Sequence, residues 1–230
     1  MRTPIDRGLT ATPAYTPFGG YARLDRLVKR LASADMRTAA WAVFLWASSA
    51  GAVTAMWFHG YRLPPIWVLL VLGAVAAVAD RQSVAVTDRT WMSVSFVPLV
   101  FSAVAFGPLG GFAVGAVSNV GDLRESRLRW GVNTPIRGLT AAAAGLAASG
   151  LAPRPTTFGA CLLSSLLASV ALLAADSLLL GMTVWLRRGS VREVLRTTIS
   201  VSLLIMPLYI PVLALFVYGY HLYSLRLVLV

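Results

Sequence analysis

The chain has one cysteine, two histidines and only nine acidic residues in 230 positions. Each scarcity excludes something. Cys161 stands alone inside an apolar run, which excludes a disulfide framework and a thiolate metal cluster. His59 and His221 lie far apart, and no pair of acids has the helical spacing that metal ligation or general acid–base chemistry requires. Cys161 has no histidine close to it in sequence to activate it as a nucleophile. The expectation is a protein that is not an enzyme, with no metal and no cofactor. Charged residues make up 13% of the chain against 57% hydrophobic residues, and the mean hydropathy is +0.73. A soluble fold would have too little polar surface at those proportions. The formal charge of +11 elsewhere suggests nucleic acid. Here most of it sits in short segments beside apolar runs, where it orients a membrane protein and meets anionic headgroups, so no nucleic-acid partner is expected. No cleavable signal peptide is expected either, because the first apolar run starts near residue 38 and is long enough to span.

What is abundant is apolar sequence, in runs at about 38–58, 64–79, 91–106, 109–120, 135–151, 158–186 and 199–222. These predict an all-α integral membrane protein of about seven spanning or half-spanning helices. If the runs are successive crossings, seventeen of the twenty Lys and Arg fall on the amino-terminal side, and only Arg62, Arg154 and Arg226 fall on the other. Basic residues beside spans are retained in the cytoplasm, which predicts a cytoplasmic N-terminus. Lys29 is the sole lysine among nineteen arginines and alanine is plentiful, as in proteins of G+C-rich bacteria. The expected location is therefore the bacterial inner membrane.

Two domains are expected, a head over 1–37 and a membrane bundle over 38–230. The head opens with a Pro- and Gly-rich stretch over 1–20, expected to be disordered. Over 21–34, Tyr21, Leu24, Leu27, Val28 and Leu31 share one helical face opposite Arg23, Arg26, Lys29 and Arg30, the pattern of an interfacial amphipathic helix. In the first span Ala47, Gly51 and Ala55 recur every four residues, a small-residue face for close helix packing. Ser83 to Val86 and Trp91 to Ser95 alternate around a polar turn, predicting a small extended hairpin near 83–95. The short runs on either side of Phe106-Gly107-Pro108-Leu109-Gly110-Gly111 form either two crossings or a re-entrant hairpin. Gly107, Gly111 and Gly115 supply its packing face. The end, Leu222 to Val230, reads either as an eighth span cut off in its first turns or as an interfacial tail.

The succession Ala79-Asp80-Arg81, Ser93-Val94-Ser95-Phe96, Phe106-Gly107-Pro108, Gly121-Asp122, a basic cluster and Val132-Asn133 before a small-residue helix resembles the N-terminal multi-span membrane domain of bacterial HD-GYP and GGDEF signalling proteins. The likeness runs from about residue 65 to the end. It implies a sensory module ahead of a cytoplasmic cyclic-dinucleotide enzyme. Asp176 departs from that family's pattern, where an amide is expected, and the sequence carries no His-Asp pair, no Gly-Tyr-Pro and no Gly-Gly-Asp-Glu-Phe. The Phe-Gly-Pro-Leu-Gly-Gly phrase also resembles substrate-binding subunits of energy-coupling-factor vitamin transporters.

Asp176 is the one acid deep in a span, where an ionised carboxylate is costly and needs a partner or a wet cavity. Arg137 and the hydroxyls of Ser169, Ser177 and Thr183 are its candidate partners. A carboxyl that merely holds the bundle together and one that senses a ligand or proton both fit. Asn133, just before Pro135, reads as a helix-start residue or as part of a recognition site. Pro207 and Pro211 bend the last span as a hinge or as a fixed kink. The expected function is a non-catalytic sensory or regulatory module. Its expected partners are the anionic bilayer and a cytoplasmic output domain or a second copy of the chain. The alternative is a solute-binding transporter component.

Overall fold

A computed structural model describes residues 19–81, 84–87, 90–92, 95–120, 127–151 and 157–223. The chain divides into two units, Met1–Met36 and Arg37–Val230. The described elements are α1 (Gly19–Phe58), α2 (Ile66–Arg81), β1 (Val84–Thr87), β2 (Thr90–Met92), α3 (Phe96–Val120), α4 (Arg127–Leu151), α5 (Phe158–Leu186) and α6 (Val191–Tyr223). In the first unit the backbone is helical from Gly19 onward. The rest of the expected disordered head lies outside the described residues, as does the tail beyond Tyr223, expected as either the start of an eighth span or an interfacial tail.

The second unit has the composition of a membrane bundle turned outward. Four stretches are long and apolar enough to cross a bilayer: Met36–Phe58, Phe96–Asn119, Phe158–Leu186 and Val191–Leu222. Their outer faces carry large apolar side chains such as Leu178, Leu204 and Leu208, the most exposed of these being Leu204 at 79%. Water would not tolerate so continuous an apolar surface, and lipid requires it. The chain is thus an all-α, multi-pass membrane protein.

Among the described residues the helical elements number six, where about seven spanning or half-spanning helices were expected. The runs at 91–106 and 109–120 belong to one element, α3, broken at Gly107, whose backbone (φ 75°, ψ −172°) is not helical. Such a positive φ is open to glycine and strained for other residues. A straight helix would hold Ala103 and Gly111 about 12 Å apart at 1.5 Å per residue. Instead, a Cβ built on Gly111 would lie 3.0 Å from the Ala103 Cβ. Leu99 and Val114 likewise share one buried cluster. So α3 folds back on itself at Gly107, with Pro108 opening the second half, where its missing N–H has no helical partner to lose. Each half rises only about 16 to 20 Å, short of the roughly 30 Å hydrocarbon core. The backbone polar groups at the turn are instead sheltered by protein, as non-helical backbone at membrane depth must be.

Glycine makes that shelter tight. A Cβ at Gly111 would meet the Ala141 carbonyl at 2.7 Å, one at Gly115 would collide with the Arg137 carbonyl, and one at Gly145 would strike the Pro108 backbone. The hairpin and α4 therefore approach backbone to backbone. The main core joins α3, α4, α5 and α6 through Val100, Val104, Ala144, Cys161, Ala168, Leu213 and Val217.

Two further expectations are corrected. Helix α4 begins at Arg127, eight residues before Pro135, so Asn133 lies inside the helix and does not cap it. A proline within a helix leaves the carbonyl four residues back without its donor, and here that carbonyl, Gly131 O, accepts from the Trp46 indole Nε1 at 2.9 Å. The helix continues through Pro135 because a neighbouring span answers the freed group. The face Ala47, Gly51 and Ala55 does not pack within the chain: all three are exposed, and nothing lies within 4 Å of a Cβ at Gly51. The inward face of α1 is instead Leu45, Ser49 and Met56, with Leu45 against Val132 and Ile136, and Met56 against Leu109 and Ala142. Large side chains set that spacing.

Strands β1 and β2 pair antiparallel, with Val84 opposite Met92 and Ala85 opposite Trp91. They connect α2 to α3.

Candidate functional site

The bundle has two ends of different chemistry. At one end the α2–α3 connection, the last turns of α3, the first half of α4 and the second half of α5 come together. There Arg137 Nη2 donates to Asp80 Oδ1 at 2.9 Å, and Ser95 Oγ donates to the same carboxylate oxygen at 2.9 Å. Arg137 Nη1 reaches Ser95 Oγ at 3.4 Å, closing a three-residue ring. The pair is about one third exposed, at 31% and 33%, so solvent or headgroups screen it, and its worth lies in position more than in raw stability. Asp176 enters from α5 within electrostatic range of the same guanidinium. Arg137 thus has one carboxylate in contact and a second lining the same cavity.

These groups line a cavity of about 290 Å³ with Asn119, Asn133, Leu180 and Thr183. The three candidates read from sequence, Asp176, Arg137 and Asn133, therefore share one site. A second, smaller space of about 80 Å³ continues past Asp176 and Arg137 to Thr140, Ser169, Ser202 and Tyr209. Of the hydroxyls suggested as partners of Asp176, Thr183 is committed elsewhere, donating to Leu179 O at 2.7 Å and accepting from the Trp41 Nε1 at 3.1 Å. Ser169 donates to Ser165 O at 2.7 Å and is hydrogen-bonded to Tyr209, and the Ser177 hydroxyl has no partner. Beside the cavity, Asn119 Nδ2 donates to Thr134 Oγ1 at 2.9 Å, Thr134 donates to Trp130 O, and Trp130 Nε1 donates to Asn119 O at 3.1 Å. That circuit locks the end of α3 to α4.

Sequence reasoning missed Asp80, Ser95 and Asn119 as site residues. Asp80 had a local signal, an acid at the end of an apolar run, but its partner lies 57 residues away. Pro207 and Pro211 both sit within α6, close to Tyr209 on the smaller space.

The opposite end holds the α3 turn, the α1–α2 loop, the end of α4, the start of α5 and the end of α6. These enclose a partly open cavity of about 830 Å³. Tyr61, Phe106 and Tyr220 form its aromatic wall, and Phe106 and Tyr220 meet edge to face with centroids 5.3 Å apart. Gly107 belongs to this wall, and Tyr61 lies against it.

Among the described residues no group of three His, Cys, Asp or Glu could hold a metal ion. No protein-family model matches the chain, and neither a curated protein nor a solved structure is significantly similar to it.

Proposed function

We propose that the chain is a non-catalytic sensory or regulatory module of the bacterial inner membrane, with its N-terminus in the cytoplasm. The occupancy or charge of the Asp80–Arg137–Asp176 site biases helix packing, and the bias passes to a cytoplasmic output domain or partner. One observation carries this reading. A single guanidinium on α4 bonds the end of α2 and the start of α3, beside a polar cavity that Asp176 of α5 also lines. Adding a proton or cation there changes the balance at four elements at once, which is what a switch between two packings needs. The orientation rests on the partition of basic residues, which places this site at the cytoplasmic end.

The test uses spin labels on the exposed positions Val78 of α2 and Leu178 of α5, in a Cys161→Ala background in nanodiscs. Asp176→Asn imitates a neutral carboxyl, with Asp80 and Arg137 the charged groups facing it and Tyr209 the nearest phenol from α6. The wild-type distance distribution at low pH is expected to approach that of Asp176→Asn at every pH. Identical distributions in both proteins from pH 5 to pH 8, and in Arg137→Gln, would remove the switch.

The second reading, a solute-binding component of a transporter, is favoured by the larger cavity at the Gly107 end. Under the proposed orientation that cavity opens toward the outside, where such a component would collect its solute.

A further inference from the structure

The cavity at the Gly107 end is built differently from the site around Arg137. Its volume of about 830 Å³ falls within the roughly 300 to 1,000 Å³ of small-molecule sites. In its aromatic wall, Phe106 and Tyr220 are in edge-to-face contact at 5.3 Å, and Phe101 of the core backs Phe106 at 6.2 Å. An aromatic guest can join such a set by stacking on one ring or meeting it edge to face. Ser164, only 1% exposed, belongs to the same wall, and its hydroxyl has no hydrogen-bond partner. Serines in a helix ordinarily bond back to a carbonyl of the preceding turn, as Ser169 does to Ser165 O. The Ser164 oxygen itself has no accessible surface, and the Ser49, Ser165 and Ser177 hydroxyls are unpartnered in the same way, so it marks no contact for a guest.

Charge completes the picture. Arg62 and His221 stand exposed at this cavity. No Asp or Glu is among the described residues that line this cavity. An anion arriving here meets cationic and donor groups and no competing carboxylate, the reverse of the Arg137 site.

We propose that this cavity binds a small planar aromatic carboxylate, its ring against Phe106 and Tyr220 and its carboxylate on Arg62. This inference does not rest on the sensory reading, since a ligand here serves sensing or uptake alike, and no residue of the Arg137 site takes part. The shared chemistry of an aromatic acid and an anionic lipid headgroup is the negative group on Arg62, so the test separates them.

The full chain in phosphatidylcholine nanodiscs is titrated with nicotinate, salicylate and indole-3-acetate, each beside its uncharged amide, reading the thermal midpoint and equilibrium binding. At least one acid is expected to raise the midpoint and to bind about tenfold or more tightly than its amide, as a charge-assisted contact implies. Arg62→Gln should erase that difference while leaving the unliganded midpoint unchanged, because Arg62 is exposed. Arg137→Gln should leave acid binding intact, so a failed switch and a failed pocket are told apart. If no acid shifts the midpoint, or binding survives Arg62→Gln unaltered, the proposal is overturned. Stabilisation that appears only on replacing phosphatidylcholine with phosphatidylglycerol, with no response to the acids, would assign the cavity to a lipid headgroup and overturn it equally.

Discussion

The two ends of this bundle handle polar groups in opposite ways. Around Arg137 most are answered, the Ser177 hydroxyl excepted. The guanidinium has Asp80 and Ser95, Asn119 and Thr134 close a circuit with Trp130, and even the carbonyl that Pro135 frees finds the Trp46 indole. Around Gly107 the walls are aromatic, and no Asp or Glu among the described residues lines the cavity to answer Arg62. A completed network resists change until its charge is altered, which suits a switch or a strut. An incomplete one has capacity for something from outside. The difference is also one of backbone economy: the hairpin of α3 connects the two ends, giving its turn to the aromatic cavity and its termini to the polar site.

The comparison stands or falls first on which end faces the cytoplasm, where the expected outcome is all or none. Cysteines placed at Ser126 and at Gly189, in a Cys161→Ala background, should be protected from an impermeant maleimide in intact cells, while one at Arg154 should react. Labelling at Ser126 from outside would invert the whole assignment and with it the proposed roles of both ends.

The hairpin that joins the ends gives the next largest effect. Gly111→Leu drives a side chain into the Ala141 carbonyl and against Ala103. Overpacking of this kind costs typically about 1 to 3 kcal/mol, and at the high end here because the obstacle is backbone, which cannot rotate away. Thermal unfolding in detergent measures it. A midpoint equal to that of the parent chain would mean that α3 does not fold back against α4.

How much of this was legible in the sequence follows from the range of each interaction. The apolar runs and the basic partition are local, and the six helices lie within or across those runs. The phrase Phe106 to Gly111 announced a break because glycine and proline act on their own backbone, and the fold-back follows at Gly107. Asp176, Arg137 and Asn133 were chosen as scarce polar residues inside apolar text, and they do share one cavity. What escaped depends on partners far along the chain. Asn133 was read as a helix start because Pro135 locally says so. The helix in fact begins at Arg127, the freed carbonyl being answered by a tryptophan 85 residues away. The small face of α1 was read as packing, but the fold turns it outward and buries Leu45 and Met56. Tyr61, Phe106 and Tyr220 gave no signal in isolation, since aromatics near span ends are ordinary interfacial residues.

A smaller effect tests whether the Arg137 end is a strut or a switch. Asp176→Asn keeps size and hydrogen-bonding capacity and should fold as the parent does. Asp176→Leu removes a carboxylate from beside a guanidinium that keeps Asp80, and should lose stability by about 1 to 3 kcal/mol, less where headgroups or water screen the site. Chemical unfolding of both variants reads it. Equal stability of Asn, Leu and parent would take Asp176 out of the network and leave Asp80 as the sole anionic partner of Arg137.

The smallest effect sharpens the claim that this end answers its charged and backbone polar groups. Trp46→Phe keeps a large aromatic ring near Trp130, to which the indole stands with centroids 6.3 Å apart, and deletes only the N–H that serves Gly131 O. In water the freed carbonyl would be hydrated and the change nearly silent. At the edge of a bilayer water is scarce and Pro135 can offer no N–H, so the carbonyl is left unpaired at a cost of about 1 kcal/mol. The double variant Trp46→Phe with Pro135→Ala supplies that N–H from within the helix, and should recover most of the loss seen with Trp46→Phe alone. Recovery in thermal unfolding identifies the carbonyl as the cause. A loss that persists in the double variant would assign the role of Trp46 to its ring, and the polar accounting at this end would then rest on Arg137 and Asn119 without it.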